Sequence, residues 1–464
     1  MLTYDIDKKG DRPIYIYLYD CIKYDIERGY IKANEKLPSK RNFAEHLCVS
    51  VMTIQNAYAL LLSEGYIYSR EKRGYFASEL EKKPASQPSI DKIQIEQEKD
   101  PTYFVDFCED SISVQSFPFS VWSRQMREVL SENPDELLAR MPNQGVVFLR
   151  KAIADFLYSF RGMNVSPEQI IIGAGTEYMY SLLLKLLGKD SVYAVEDPGY
   201  NKISAIYESE NANFRYISLD SNGISMDEVR KSDADILHIS PSHHFPTGIV
   251  TSIKRRQELL AWANEDKNRY IIEDDYDSEF RFLGKAIPTL QSIDYNEKVI
   301  YINTFSKTLS PALRISYAIL PQHLIENYKN KLGFYYCTVS SFEQYTLAKF
   351  ISKGYFESHI NRMRKAYKIK RDTLINVITT GPLSEKSAIF EENSGLHFIL
   401  KLKTELSDEE LVSKARLVGI KISCLSQYCH NRENAEKAVV LINYSGVNTK
   451  IIPRAMELLA AIIN

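Results

Sequence analysis

The run Asn303-Thr304-Phe305-Ser306-Lys307-Thr308-Leu309-Ser310-Pro311-Ala312-Leu313-Arg314 puts a hydroxyl directly before a lysine and an arginine seven residues after it. A lysine amine condenses with an aldehyde to a Schiff base, while hydroxyls and a guanidinium grip a phosphate. Pyridoxal phosphate carries both groups on one flat ring. The spacing therefore assigns Lys307 as the covalent anchor, with Thr304, Ser306 and Arg314 around the phosphate.

Upstream pieces add to this site. Gly173-Ala174-Gly175-Thr176-Glu177 follows the apolar Ile170-Ile171-Ile172 and precedes a helical pattern from Tyr178 to Leu183. A glycine turn at a helix N-terminus offers N–H groups to a phosphate, so Gly175, Thr176 and Glu177 join the candidates. Such turns are common after strands, and this one alone decides little. Tyr200, in Glu196-Asp197-Pro198-Gly199-Tyr200, either stacks on a flat ring or packs its own turn. Glu273-Asp274-Asp275-Tyr276 closes the apolar Arg269-Tyr270-Ile271-Ile272. A pyridine nitrogen keeps its proton, and stays an electron sink, only beside a carboxylate. Asp274 is assigned that role, and Tyr276 a hydrogen bond to the cofactor's phenolic oxygen. The competing reading of this segment is a solvated acidic loop.

The elements that must hold these residues are short. From about residue 103, β-rich runs such as 169–172, 191–195, 236–239, 270–272 and 299–302 alternate with helical patterns. That alternation predicts an α/β fold, a mostly parallel sheet covered by helices. From about 370 the pattern suggests a smaller α+β part. The effector domain is thus expected over 102–464, after a polar, Pro- and Ser-bearing linker at 79–101.

Residues 1–78 have a different character. Ser39 is placed to cap a helix beginning at Lys40, and Cys48-Val49-Ser50 forms a turn. Ser50 then caps a second helix from Val51 to Leu61. Ile54, Ala57, Tyr58 and Leu61 recur at helical spacing and mark its buried face. Met52, Thr53, Gln55 and Asn56 lie on the other face, and such side chains read base edges in a major groove. Glu64 to Arg70 and Glu71 to Phe76 read as two strands around a basic turn, a wing. Any one of these pieces also suits a generic small helical domain with a hairpin. Their order favours a DNA-binding head.

Bulk composition limits the alternatives. At 464 residues the chain needs two or three domains, and its 44% apolar and 25% charged residues are ordinary for a globular protein. Net charge is −2 overall, and residues 1–80 hold twelve Lys/Arg against eleven Asp/Glu. DNA binding must then depend on where the cations point. The six cysteines form no CxxC pair, which fits reduced thiols in a cytoplasmic protein. Cys424, Cys429 and His430 do not have a standard zinc spacing, and no metal is expected. The N-terminus lacks a signal-peptide pattern. No apolar run approaches the ~18 residues of a membrane span.

The segment from Leu37 to Phe76 resembles the winged helix-turn-helix of GntR-type regulators. That match places Arg41, Ser50, Thr53, Gln55, Arg73 and Gly74 at DNA-contact positions, with Ser39 and Asn56 completing the set. Val51 stands where many relatives carry a basic or polar residue. The phosphate loop, aromatic, aspartate, lysine and arginine, in that order, resemble fold-type I pyridoxal phosphate enzymes of the aminotransferase kind. Ser240-Pro241-Ser242-His243-His244-Phe245-Pro246-Thr247-Gly248, the 273–281 segment and the head together look like the MocR subfamily of GntR regulators. The resemblance runs from about residue 12 to 450 and puts His243 near the phenolic oxygen. It also implies a head-to-tail homodimer, each head resting on the other subunit.

This chain departs from its relatives at three places. Ser316 replaces a usual glycine. Arg140-Met141-Pro142-Asn143-Gln144-Gly145 replaces a tyrosine-bearing segment. Val439-Val440-Leu441-Ile442-Asn443-Tyr444-Ser445 lacks the arginine that grips a substrate carboxylate in aminotransferases. Arg432 and Lys437 are the nearby substitutes. Two functions compete. One is a regulator in which an amine, an amino acid or pyridoxal phosphate itself changes operator binding, controlling vitamin B6 synthesis or amine metabolism. The other is a working aminotransferase with an accessory head. The missing arginine favours a regulator with at most weak transaminase activity. A cofactor-storage protein would leave the head idle.

Overall fold

The computed structural model describes residues 2–80, 102–108, 116–132, 134–282, 288–393 and 395–463. Met1–Lys99 and Asp100–Asn464 form two compact units. The expected linker lies, from residue 81 on, outside the described residues.

The first unit packs helices α1 (Ile14–Glu27), α2 (Lys40–His46) and α3 (Val51–Ser63) against a hairpin of β1 (Ile67–Arg70) and β2 (Gly74–Ala77). Ser39 Oγ accepts from Asn42 N at 3.2 Å and Ser50 Oγ from Thr53 N at 3.0 Å, so both expected caps form. Leu18, Ile22, Phe43, Ile54, Ala57, Tyr58 and Leu61 are buried together. Tyr58 Oη donates to Pro38 O and pins α3 to the entry of α2. The strands pair antiparallel, Ile67 with Ala77 and Arg70 with Gly74. Lys72 and Gly74 take positive φ, which closes the hairpin over three residues.

The second unit holds two sheets and a short ladder. Its strands are β3 (Val105–Asp106), β4 (Ile170–Gly173), β5 (Val192–Asp197), β6 (Asn213–Asp220), β7 (Gly223–Ile224), β8 (Ile236–Ile239), β9 (Tyr270–Asp275), β10 (Val299–Thr304), β11 (Ser316–Ile319), β12 (Ser387–Phe390), β13 (His397–Leu402), β14 (Ile420–Lys421), β15 (Ser423–Cys424) and β16 (Val439–Asn443). The eight-stranded sheet has the order β4-β11-β10-β9-β8-β5-β6-β7. Pairing is parallel from β10 through β6, whereas β11 runs antiparallel to both neighbours and β7 to β6. Every residue of β4, β8, β10 and β11 is buried, as expected of strands covered on both faces.

The smaller sheet has the order β12-β13-β16-β15. The helix Tyr355–Thr380 joins the two parts. Phe356 and Ile360 pack in the core beside β4 and β11, while Met363, Tyr367, Leu374 and Ile378 pack under the smaller sheet. Residue 370 therefore lies inside one helix, because apolar residues recur at helical spacing across it. Val105 and Phe107, far away in sequence, are buried in the small core. There β3 pairs with β14, and Phe107 O accepts from Asn443 N at 2.9 Å. Among the described residues no helix is long and apolar enough to cross a membrane.

Candidate functional site

The ends of β4, β9 and β10 carry the expected residues. β4 stops at Gly173, and the helix Thr176–Leu187 begins two residues beyond Ala174. Gly175 sits between them at φ +92°, with no side-chain cap on the helix. A Cβ at Gly175 would overlap the Arg314 guanidinium, so only glycine lets the two approach. Arg314 itself takes φ +50° and donates to Glu177 Oε2 at 2.6 Å. Lys202 reaches Glu177 Oε1 at 3.3 Å. The Glu177 carboxylate is thus engaged by two cations. A phosphate here would meet the helix N–H groups and Arg314, with Glu177 contributing backbone rather than side chain.

Thr304 is a hub of the lysine loop. Its Oγ1 accepts from Ser306 N at 3.1 Å, lies 3.0 Å from Ser306 Oγ, and accepts from Ser316 Oγ at 2.9 Å. Ser316, the departure from glycine, is fully buried, and its hydroxyl braces this loop. Lys307 is half-buried, and burial pushes its amine down to about 8. Its Nζ lies 6.0 Å from the centre of the Tyr276 ring.

Asp274, near the end of β9, is buried. One oxygen accepts from Tyr180 Oη and lies 3.8 Å from His238 Nε2. The other oxygen, Oδ1, is buried without a hydrogen-bond partner. Tyr276 Oη is 3.3 Å from His243 Nδ1, and burial together with the Asp277 charge holds its phenol well above the ordinary range. His243 Nδ1 lies 2.9 and 3.0 Å from the two Asp277 oxygens, which leaves His243 Nε2 buried and unpartnered. Tyr200 precedes the helix Asn201–Ser209 and meets Phe245 edge-to-face at 5.7 Å. The pocket thus holds an orphaned carboxylate oxygen, an orphaned ring nitrogen, a neutralisable amine and a glycine-lined cation cradle. Pyridoxal phosphate fits that donor and acceptor set.

Motif reading assigned no role to Tyr180, His238, Asp277 or His397. His397 packs against His243, the rings tilted by 41° with centroids 4.4 Å apart, and pairs across the small sheet with Asn443. Asp277 directly follows the acidic run Glu273–Tyr276, and its partners His243 and Leu396 are 34 and 119 residues away in sequence. His243, Asp277 and His397 are residue types that bind metals and are buried together. Hydrogen bonds already occupy Asp277, from His243 and from Leu396 N at 3.1 Å. Cys424 is buried in the small core, while His430 stacks on Tyr216 at 4.1 Å. On the arginine-free strand β16 all five residues are buried, and the suggested substitutes Arg432 and Lys437 are exposed. The Arg140–Gly145 segment lies along β4, with Gln144 O accepting from Ile172 N at 3.0 Å.

In the head, Arg41, Met52, Gln55, Asn56, Arg73 and Gly74 are exposed. Arg41 and Arg73 have no ion pair among the described residues, so both cations are available to phosphates. Val51 is also exposed, on the same helix end. Thr53 is half-exposed, and its hydroxyl lies 2.8 Å from Ser50 Oγ. Ser39 and Ser50 use their side chains as caps, which leaves Gln55 and Asn56 as the freest polar groups on the helix face.

A winged head and an aminotransferase-type domain define a class of two-part, DNA-binding proteins. Residues 15–76 match bacterial regulatory proteins of the gntR family, and residues 110–449 match aminotransferase class I and II. The uncharacterized HTH-type transcriptional regulator YdeL of Bacillus subtilis is 37% identical over 463 residues, 99% of each chain. The probable rhizopine catabolism regulatory protein MocR of Rhizobium meliloti is 30% identical over 460 residues, 96% of this chain and 92% of that protein. The pyridoxine biosynthesis transcriptional regulator PdxR of Corynebacterium glutamicum is 28% identical, covering 89% and 88%. In fold, the second unit is similar to a kynurenine aminotransferase of Pyrococcus horikoshii, with a TM-score of 0.69 at 22% identity over 77% of this chain and 90% of that one. This chain belongs to the MocR subfamily of GntR-type regulators, with an aminotransferase class I and II domain.

Lys307→Ala is expected to abolish the visible absorption that pyridoxal phosphate gains on a lysine; a band kept at the same wavelength rejects the anchor. Only the unprotonated amine is a nucleophile. Cofactor uptake, followed by stopped-flow absorption, is therefore expected to accelerate as pH rises and to level off above about 8. A rate independent of pH between about 6 and 9 would contradict the buried-amine argument.

Proposed function

We propose that this protein is a pyridoxal phosphate-dependent transcription regulator of the cytoplasm. The observation that carries the reading is the contrast between the two sides of the pocket. The large part retains Lys307, Asp274, Tyr276 and the Gly175–Arg314 cradle. The small part presents His397 and Asn443 on buried strands, and β16 carries no arginine. Bound there, the cofactor would supply an electrophilic carbon and an electron sink. Lys307 would supply the amine, and Asp274 would take the ring nitrogen's proton side. The helix N-terminus at Thr176 and Arg314 would hold the phosphate, with Tyr200 against the ring. Strand β16 carries no arginine to orient a substrate carboxylate, which weighs against efficient turnover of an ordinary α-amino acid.

The output is DNA binding by Arg41, Gln55, Asn56 and Arg73, with two heads supplied by a homodimer. A ligand alters that output only if it binds one arrangement more tightly than the other. The printed roles of the relatives divide between pyridoxine biosynthesis for PdxR and rhizopine catabolism for MocR. The neutral side chains of the small part favour pyridoxal phosphate itself as the signal over an amino acid. The second reading, a slow aminotransferase, is favoured by the retained Asp274 and Lys307.

Two measurements test this. Purified protein incubated with candidate amino acids is expected to form at most a stoichiometric amount of keto acid; rapid multiple turnover would overturn the regulator reading. On duplexes selected from a random pool, Arg41→Ala and Arg73→Ala are each expected to weaken binding. Each should also lower the slope of log affinity against log salt by about 1, with the cofactor absorption intact. Unchanged affinity and slope in both variants would refute the assignment of the DNA face.

A further inference from the structure

We infer that Asp277 is the positioning residue for His243, and that the pair passes occupancy of the cofactor pocket to the small sheet. The inference deepens the regulator reading and rests on it. Asp277 is 1% exposed, and its two oxygens lie 3.0 and 2.9 Å from His243 Nδ1. An ionised carboxylate only accepts, so Nδ1 carries the hydrogen. Tyr276 Oη, at 3.3 Å, is the longer and weaker contact of that nitrogen. The tautomer is thereby fixed, and Nε2 is left buried without a hydrogen-bond partner. A buried ring nitrogen in that state is unfavourable until something fills it.

The same carboxylate has a second duty. Asp277 Oδ2 also accepts from Leu396 N at 3.1 Å, and Leu396 is the residue before β13. Gly395 N donates to Phe280 O at 3.1 Å, three residues beyond Asp277. Gly395 takes φ +71°, and a Cβ there would overlap the His243 ring. The imidazole therefore rests on bare backbone of the small part. Its other neighbour is His397, at 4.4 Å on β13 itself. One carboxylate is thus shared between an imidazole of the large part and an amide of the small part, with the imidazole wedged between them.

This arrangement makes Asp277 sensitive to what meets Nε2. A donor that fills Nε2 polarises the ring, and the Nδ1–H bond to Asp277 strengthens with it, because hydrogen bonds in a chain reinforce one another. The hydrogen bond to Leu396 N competes for the same oxygens. An empty pocket and a filled one therefore favour different placements of the start of β13, which is the differential interaction that coupling needs.

The test uses the full-length protein, with Asp277→Asn, His243→Asn and the double variant. Affinity for a selected duplex is measured with and without saturating pyridoxal phosphate, and the visible band reports cofactor on Lys307. Asp277→Asn is expected to keep the band while its ratio of operator affinities falls about tenfold from the wild-type ratio. The double variant is expected to lose no more than either single one, because the two residues act as a unit. Asp277→Glu, which keeps the charge, is expected to restore most of the ratio. A wild-type ratio in Asp277→Asn, or losses that add in the double variant, would overturn the inference. If Asp277→Asn does not fold, His243→Asn alone decides, since it spares the carboxylate and its bond to Leu396; an unchanged ratio there is equally fatal. A wild-type protein indifferent to pyridoxal phosphate would instead overturn the regulator reading, and the inference with it.

Discussion

An ammonium withdrawn from water gives up its proton easily, and the second unit is organised around one such amine. Lys307 is held by a loop whose hydroxyls brace one another, at the end of a strand buried along its whole length. Around it the strand ends expose polar atoms to an interior that leaves some of them unsatisfied. Asp274 Oδ1 and His243 Nε2 each carry a cost on the order of 1–3 kcal/mol while they lack partners. Closely packed aliphatic strands and covering helices offset that cost.

The two sides of the pocket are not equally equipped. The large part supplies charge, covalent chemistry and a phosphate cradle. The small part supplies backbone, neutral imidazole and amide. In an enzyme the second set would orient a substrate. Membership of the MocR subfamily and the winged head agree with that division, since a DNA-binding unit gains from a domain with two preferred states rather than from one with fast chemistry.

Much of this was legible in the chain because the signals are local. Ser39 and Ser50 announce their helices through capping, and Gly175 and Lys307 stand at fixed distances from strand ends. At Asp274 the sequence left a solvated acidic loop as the alternative, and the burial of this carboxylate argues against that alternative. What the sequence hid depends on partners far apart. The Tyr180–Asp274 bond spans 94 residues, and the Asp277–Leu396 bond spans 119. Helical spacing shows that Tyr180 is buried but not what its hydroxyl meets. Ser316 read as a loss of glycine, when its hydroxyl in fact braces Thr304. The reversed strand β11 was invisible, since buried parallel and antiparallel strands have the same apolar composition. Likewise, nothing in Val105 and Phe107 reveals that they belong to a core built mainly from residues beyond 360.

That last placement has a mechanical consequence. Phe107 lies close after the segment that follows the head, and its carbonyl is bound to Asn443 N, directly across the sheet from His397. His397 in turn lies on the imidazole over the pocket. Residues 105–107 are thus bound to the small sheet, through the β3–β14 ladder and the Phe107 carbonyl. Wherever that sheet moves, this stretch of chain must move with it.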